Sequence, residues 1–225
     1  MTDENLQDYT HLASGYDSGR YDSDSDRFRE SLREEAFLEI ARPGPGDRVL
    51  DVGSGTGSGV LFFAPRVASV VALDGTQAML DVAQEKADRH GISNVEFVCA
   101  NALEIPYDDA SFDLVVSLNF VHLFVPKGLE LQGRFVAEMG RVVKPGGAVV
   151  VEYDNVRHAP ELGNRYADLP RIGGLHMESV IGTYMPKTAA ARRLGAGLAG
   201  TYGRLARKPF FRRHAYRWLA RYVKA

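Results

Sequence analysis

Three kinds of residue in this chain have the type and spacing for chemistry. The first lie in VLDVGSGTG, residues 49–57, where Gly53, Gly55 and Gly57 alternate with Ser54 and Thr56 after an aspartate, Asp51. Glycines at the turn between a strand and a helix let the backbone approach a nucleotide-like ligand with no Cβ in the way. The second is Asp74, which closes the next apolar run, VASVVALD. An acid there can accept hydrogen bonds from both hydroxyls of a ribose. The third is His122 in SLNFVHLF; an imidazole of ordinary pKa, about 6.5, suits proton acceptance near neutrality. The glycine spacing narrows the ligand. G-x-G-x-G, with Ser at position 58, is not the G-x-G-x-x-G of dinucleotide turns. No Gly-Lys-Ser/Thr follows it, which excludes a phosphate-cradling P-loop.

The elements that must position these residues alternate. FRESLREEAFLEIA, residues 28–41, spaces its apolar residues as a helix, and RPGPGD stops it. RVLDV reads as a strand, SGVLFFA as a helix that Pro65 ends, and VASVVALD as a second strand. TQAMLDVAQEKADRHG is the clearest helix, with Thr76 placed to cap it and Gly91 after its end. NVEFVCA and SFDLVVSL supply two more strands, residues 129–143 another helix, KPGG a turn and AVVVEY a fifth strand. Strict alternation implies right-handed crossovers and a parallel sheet covered by helices on both faces. The ligand then belongs beyond the carboxyl ends of the strands.

NAD and S-adenosylmethionine both use a ribose-binding acid at the Asp74 position. S-adenosylmethionine carries no phosphate and needs a close backbone approach, a ribose acid and an apolar slot for adenine. Gly53, Gly55 and Gly57 offer the approach; Met79, Ala102 and Leu103 offer the slot. The ordered set VLDVGSGTG, VVALDGTQAML, NVEFVCANALEIPYDDASFDLVVS and RVVKPGGAVVV resembles the class I S-adenosylmethionine-dependent methyltransferases. The resemblance is to their small-molecule branch, which includes the ubiquinone and menaquinone methyltransferases, and it runs from about residue 9 to 153. It implies a Rossmann-like, doubly wound α/β fold with a seven-stranded sheet of order 3-2-1-4-5-7-6, strand 7 antiparallel. LHMESVIG and HAYRWLARYV would be strands 6 and 7. The implied organisation is one domain, 1–225. Residues 1–41 would be a helical lead-in or lid and 48–153 a cofactor-binding core. Residues 154–225 would form a substrate-side region with a basic helical insertion at about 186–208.

The resemblance also implies roles. Asp51 and Gly53 would line the methionine end of the cofactor, Ser54 would also contact the cofactor, and Gly55 and Gly57 would turn the chain past it. Asp74 would hold the ribose, Gly75 and Met79 would flank adenine with Ala102 and Leu103, and Leu118 would offer backbone contacts. Asn101 stands where the family usually has Asp; its carbonyl oxygen can still accept a hydrogen bond. Tyr9 and Tyr16 sit in the lead-in, which in the family folds over the cofactor. His122 is the candidate general base, and Asn119, Tyr153 and His158 are candidates for the acceptor side. SLNF lacks the Asn/Asp-Pro-Pro-aromatic motif of enzymes that methylate the amino groups of DNA bases and protein glutamine. Segment 117–125 has no carboxylate for a catechol-type magnesium site, so no metal is expected. Methyl transfer to oxygen or carbon of a small organic or lipid-like acceptor is the expectation. A nicotinamide oxidoreductase and a non-catalytic S-adenosylmethionine-binding protein are the alternatives.

Charge and cysteine content bound the rest. The formal net charge is −2, but residues 1–39 carry eleven acids and four bases, while Ser179 onward carries eleven Lys and Arg and no acid. Such a basic segment suits an anionic membrane surface or an anionic substrate, or simply a solvated lid helix. Nucleic acid is disfavoured, because the excess is local and no nucleic-acid-binding motif accompanies it. Cys99 is the only cysteine, which precludes an intramolecular disulfide; it is expected to pack inside as a small apolar residue. The acidic, polar N-terminus is unlike a secretory signal, and a cytoplasmic location is expected. The sequence leaves the oligomeric state open.

Overall fold

In the computed structural model the described residues are 9–18, 24–127, 129–155, 173–183 and 217–225, with Leu169, Leu205, Lys208 and Ala215. A short 3-10 turn, Thr10–Gly15, precedes helix α1, Asp24–Ala41. Strands β1 (Arg48–Val52), β2 (Ser69–Asp74), β3 (Val95–Cys99) and β4 (Phe112–Ser117) follow, with α2 (Ser58–Phe63) and α3 (Gln77–Arg89) between the first three. A 3-10 helix, Val121–Lys127, leads into α4 (Leu129–Val142). The remaining strands are β5 (Val143–Asp154), β6 (Leu175–Thr183) and β7 (Arg217–Lys224).

The sheet has the order β3-β2-β1-β4-β5-β7-β6. Strands β1 to β5 pair in parallel, and β7 runs antiparallel to both β5 and β6. The chain winds from β1 outward through β2 and β3, then crosses to β4 on the other side. That reversal opens a crevice past the ends of β1 and β4.

The central strands are apolar on both faces because helices cover both. Leu50, Val52, Val115 and Val149 pack with Phe124, Phe135 and Met139 on one side. Val49, Val70, Val116 and Val150 pack with Phe37, Ile40, Val60 and Phe63 on the other. α1 lies against β5, β6 and β7. Pro65 ends α2 as expected, and the chain tightens there into a 3-10 turn. Gly91, at φ 66°, follows α3.

Three local expectations change. KPGG is not a turn ahead of the fifth strand but lies within it. Phe112 pairs with Val143 and Leu114 with Ala148, so β5 carries extra residues at that point. Gly147 permits this bulge, because a Cβ there would lie 2.7 Å from the Asp113 carbonyl oxygen. Thr76 holds the N-cap position of α3 without a side-chain cap bond; its Oγ1 instead accepts the Tyr9 N–H at 3.5 Å. Cys99 is exposed, not packed inside. It ends β3, which is the edge strand of the sheet among the described residues.

Candidate functional site

The cleft lies where the strand order reverses, and the glycine turn forms its floor. The N–H groups of its three glycines and of Ser54 are all engaged, by the end of β2 or by the turn itself. The Gly53 and Ser54 N–H groups both donate to the Leu73 carbonyl, at 2.8 and 3.0 Å, and Gly57 donates to Ser54. Gly55 N–H donates to Asp74 Oδ2 at 2.9 Å, and Thr76 N–H to Asp74 Oδ1 at 2.9 Å. Phosphate-binding turns aim such N–H groups at the ligand. Here they hold an aspartate instead. Burial raises the Asp74 carboxyl above its ordinary range, against the lowering effect of the Thr76, Gly55 and Gly75 N–H groups. Each oxygen keeps a second lone pair for a ribose hydroxyl.

Asp51 has the opposite surroundings. It is 1% exposed, and its Oδ1 has no hydrogen-bond partner. Its Oδ2 fills the place a side chain at position 59 would take: a Cβ on Gly59 would lie 2.1 Å away. Burial, then the nearby Asp74 charge, push this carboxyl up to about 7 despite the opposing Arg33 guanidinium. A buried carboxyl with a free oxygen, beside a second carboxylate, favours a cationic ligand and opposes a phosphate.

The walls come from four segments. Tyr9 and Tyr16 from the lead-in, Ser54 from the turn, Gly75 and Met79 from the start of α3, and Leu118 and Asn119 after β4 all line the cleft. Tyr9 and Tyr16 meet edge to face at 6.3 Å. The lead-in is latched there. Asp17 pairs with Lys86 of α3 and accepts from Thr56 Oγ1, while Lys86 also donates to the Thr56 carbonyl at 2.9 Å. Asn119 takes a left-handed conformation, φ 53°, which Asn tolerates better than most residues.

Residues 50–151 match the family described as a methyltransferase domain. Over 124 residues, 54% of this chain, the sequence is 37% identical to a demethylmenaquinone methyltransferase of Clavibacter sepedonicus, of which the match covers 47%. Over residues 50–151, a little less than half of its length, the chain is similar to S-adenosylmethionine-dependent methyltransferases. It spans a little under half the length of the curated relatives it matches. Among solved structures the fold is shared with the YcgJ protein of Bacillus subtilis. That match has TM-score 0.56 and 19% identity, and it covers 87% of this chain and 98% of that one. The fold is also shared with the N-methyltransferase NodS of Bradyrhizobium japonicum in complex with S-adenosylhomocysteine. There the TM-score is 0.66 at 14% identity, covering 96% and 97%.

The residues fit the cofactor of a class I methyltransferase. The orphaned Asp51 Oδ1 suits its ammonium, the backbone-anchored Asp74 suits its ribose, and the N–H groups of Gly53, Gly55 and Gly57 are already engaged. Two glycines of the methyltransferase turn have packing roles. Gly53, at φ 75°, carries the Phe120 ring, whose Cγ would lie 2.2 Å from a Cβ at that position. Gly57, at φ 81°, packs against Ala83 of α3 and does not line the cleft. Asn101, Ala102 and Leu103 also lie outside the lining residues. Asn101 Oδ1 accepts the Leu103 N–H at 2.9 Å, an Asx turn, and Ala102 is buried in the core.

Of the residues expected on the acceptor side, His122 lines the cleft, with Phe120, Leu123 and Phe124. Burial lowers its pKa, the Asp154 and Glu152 carboxylates raise it, and Arg217 lowers it. Tyr153 is not at the cleft. It is fully buried in the core, and its hydroxyl lies 3.2 Å from that of Tyr222. His158 and nearly all of the basic segment 186–208 fall outside the described residues. Among the described residues no helix is long and apolar enough to cross a membrane, and no cluster of His, Cys, Asp and Glu could hold a metal.

Sequence reasoning passes over several lining residues: Arg33, Thr56, Ser58, Gly59, Thr76, Phe120, Leu123 and Phe124. Gly59 had a signal, a glycine at the second position of a short helix, where it costs helix stability. Arg33 had none, since one arginine in a charged helix reads as solvent-facing.

Proposed function

We propose that this protein transfers a methyl group from S-adenosylmethionine to oxygen or carbon of a small organic acceptor. In this reading residues 1–41 close over the cofactor, 48–153 hold it and 154–225 shape the acceptor side. The observation that carries the proposal is the floor of the cleft. Its glycine N–H groups are consumed internally, and two carboxylates face the ligand space, so the floor suits a phosphate-free cation. The same observation counts against a nicotinamide dinucleotide, whose pyrophosphate would lie beside Asp51 and Asp74.

When bound, the cofactor supplies an electrophilic methyl whose bond to sulfur breaks as the acceptor's lone pair forms the new bond. The chain's part is mostly placement. Asp51 holds the amino-acid end, Asp74 fixes the sugar, and Tyr9, Tyr16 and the Asp17–Lys86 latch exclude water from that side. Holding acceptor and methyl in line can contribute roughly 7–11 kcal/mol. Where the acceptor must lose a proton, His122 accepts it; burial keeps the imidazole neutral and competent near pH 7.

Calorimetric titration should show S-adenosylhomocysteine binding and no NAD binding. Labelled methyl transfer should appear on at least one class in a panel of phenols, carbon acids and alcohols. NAD binding without S-adenosylhomocysteine binding would overturn the cofactor assignment. Tight S-adenosylhomocysteine binding with no transfer to any class would favour a non-catalytic binding protein.

A further inference from the structure

The charged end of β5 is built around His122. On the β5 face turned to α1, Ala148 and Val150 belong to the apolar cluster, and the same alternation carries Glu152 and Asp154 to the strand's carboxyl end. Both are buried, at 2% and 8% exposed. Antiparallel register places Arg217 of β7 opposite Asp154. Glu152 is gripped by Arg33 of α1 through Nε at 3.1 Å and Nη2 at 2.8 Å, and Arg217 approaches it at 3.4 Å. Arg217 Nε also forms an ion pair with Asp154 Oδ1 at 2.7 Å, without hydrogen-bond alignment. The other oxygen, Asp154 Oδ2, lies 3.9 Å from His122 Nδ1.

Buried ion pairs are weak devices for stability, since well-packed apolar residues often serve as well or better. This set also ends at the cleft. We infer that Asp154, fixed by Arg217, is the positioning residue for His122, selecting the tautomer with hydrogen on Nδ1 and leaving Nε2 to accept the acceptor's proton. This inference rests on the reading of His122 as the base.

Among the described residues the charged groups facing His122 are Asp154 and Glu152 from β5 and Arg217 from β7; Arg33 of α1 holds Glu152. At 3.9 Å the Asp154 carboxylate works by its field: a donor on Nδ1 is attracted, while a lone pair there is repelled. During transfer the proton passes from the acceptor's O–H or acidic C–H to Nε2. The imidazolium so formed is balanced by Asp154, whose other oxygen is already neutralised by Arg217. Arg217 keeps the carboxylate in place and limits how far it raises the histidine. Both effects are needed for a base that is neutral before the reaction and cationic after it.

The test is a nitrogen-resolved NMR titration of histidine-labelled protein, with His122→Asn assigning one signal among six histidines. In Asp154→Asn the His122 pKa should fall by about 1–3 pH units, the usual effect of losing a nearby opposite charge, and the Nδ1–H tautomer should lose its dominance. In Arg217→Gln the pKa should rise. Asp154→Glu should keep the tautomer. Opposite movement in the two neutralising variants is a signature that a merely structural role would not give. Unchanged S-adenosylhomocysteine affinity certifies the fold of each variant; if Arg217→Gln fails to fold, the Asn and Glu variants of Asp154 decide. An unmoved pKa and tautomer in Asp154→Asn overturn the positioning role. Wild-type methyl transfer by His122→Asn overturns the base reading instead, whatever the titration shows.

Discussion

Asp51 should make cofactor binding and folding respond to pH in opposite directions. Its carboxyl moves from an ordinary 3.8 to about 7, chiefly through burial, so the folded chain holds its proton more tightly than the unfolded chain. The folded pKa is raised, so the contribution to stability is fully present below about pH 4 and is lost as pH rises through 7. At 1.36 kcal/mol per pH unit the loss is about 4 kcal/mol. Asp51→Asn removes the ionisation but leaves a buried amide short of partners, a cost of about 1–3 kcal/mol. The variant should therefore gain about 1–3 kcal/mol at pH 8. For a chain of this size each 1 kcal/mol moves Tm by about 2–4 °C, so the rise should be several degrees. At pH 4.5 the wild type has lost only about 1 kcal/mol, and the gain should vanish. Binding runs the other way, because the ammonium of the ligand needs the carboxylate. S-adenosylhomocysteine affinity should plateau above pH 7 and weaken by up to tenfold per pH unit below it. 5′-Methylthioadenosine, which lacks the amino-acid end, should show no such slope. Thermal unfolding and calorimetry across pH 4.5–8 check both halves. An Asp51→Asn variant destabilised equally at both pH values, or identical pH profiles for the two ligands, would refute the reasoning.

Three further outcomes follow from named contacts. Asp74→Ala removes a charged acceptor for two ribose hydroxyls, each bond worth about 1.5–3 kcal/mol; S-adenosylhomocysteine affinity should fall at least a hundredfold by calorimetry, and a smaller loss would misplace the ribose. Gly57→Ala strains a left-handed backbone and pushes a Cβ to 2.8 Å from that of Ala83; it should cost about 1–3 kcal/mol in thermal unfolding while the folded variant binds cofactor normally. Lys86→Ala unfastens Asp17 and Thr56 from α3; stopped-flow dissociation of S-adenosylhomocysteine should quicken severalfold, with Tm shifted by no more than a few degrees.

The strands and the glycine turn are legible because their signals are local: continuous apolar runs, a G-x-G-x-G spacing and an acid at the end of the second strand. What escapes is fixed by partners that no local pattern names, whether near or distant in sequence. Asn101 reads equally as a ligand contact and as a turn residue until the Leu103 N–H is seen on its oxygen. Arg33 and Glu152 are 119 residues apart, and nothing near either one announces the other. The clearest case is the end of β5, where one residue of parity decides the chemistry. An aromatic hydroxyl near a strand's carboxyl end is a natural pocket candidate, which favours Tyr153 over its neighbours. Yet side chains alternate faces along a strand, and Tyr153 belongs to the face of Val149 and Val151, both in the core cluster that also holds Tyr222. Glu152 and Asp154 belong to the other face, with Val150. Hydropathy sees a strand becoming polar at its exit and treats both acids as solvated. Only the register with β7, which brings Arg217 opposite Asp154, and the packing of α1, which brings Arg33 onto Glu152, show that they are buried and paired. A strand that turns acidic on one face at its carboxyl end, with an arginine across the antiparallel ladder, therefore signals a charged wall beside the cleft. In the proposed methyl transfer, that wall is the feature most able to decide which acceptors would lose a proton.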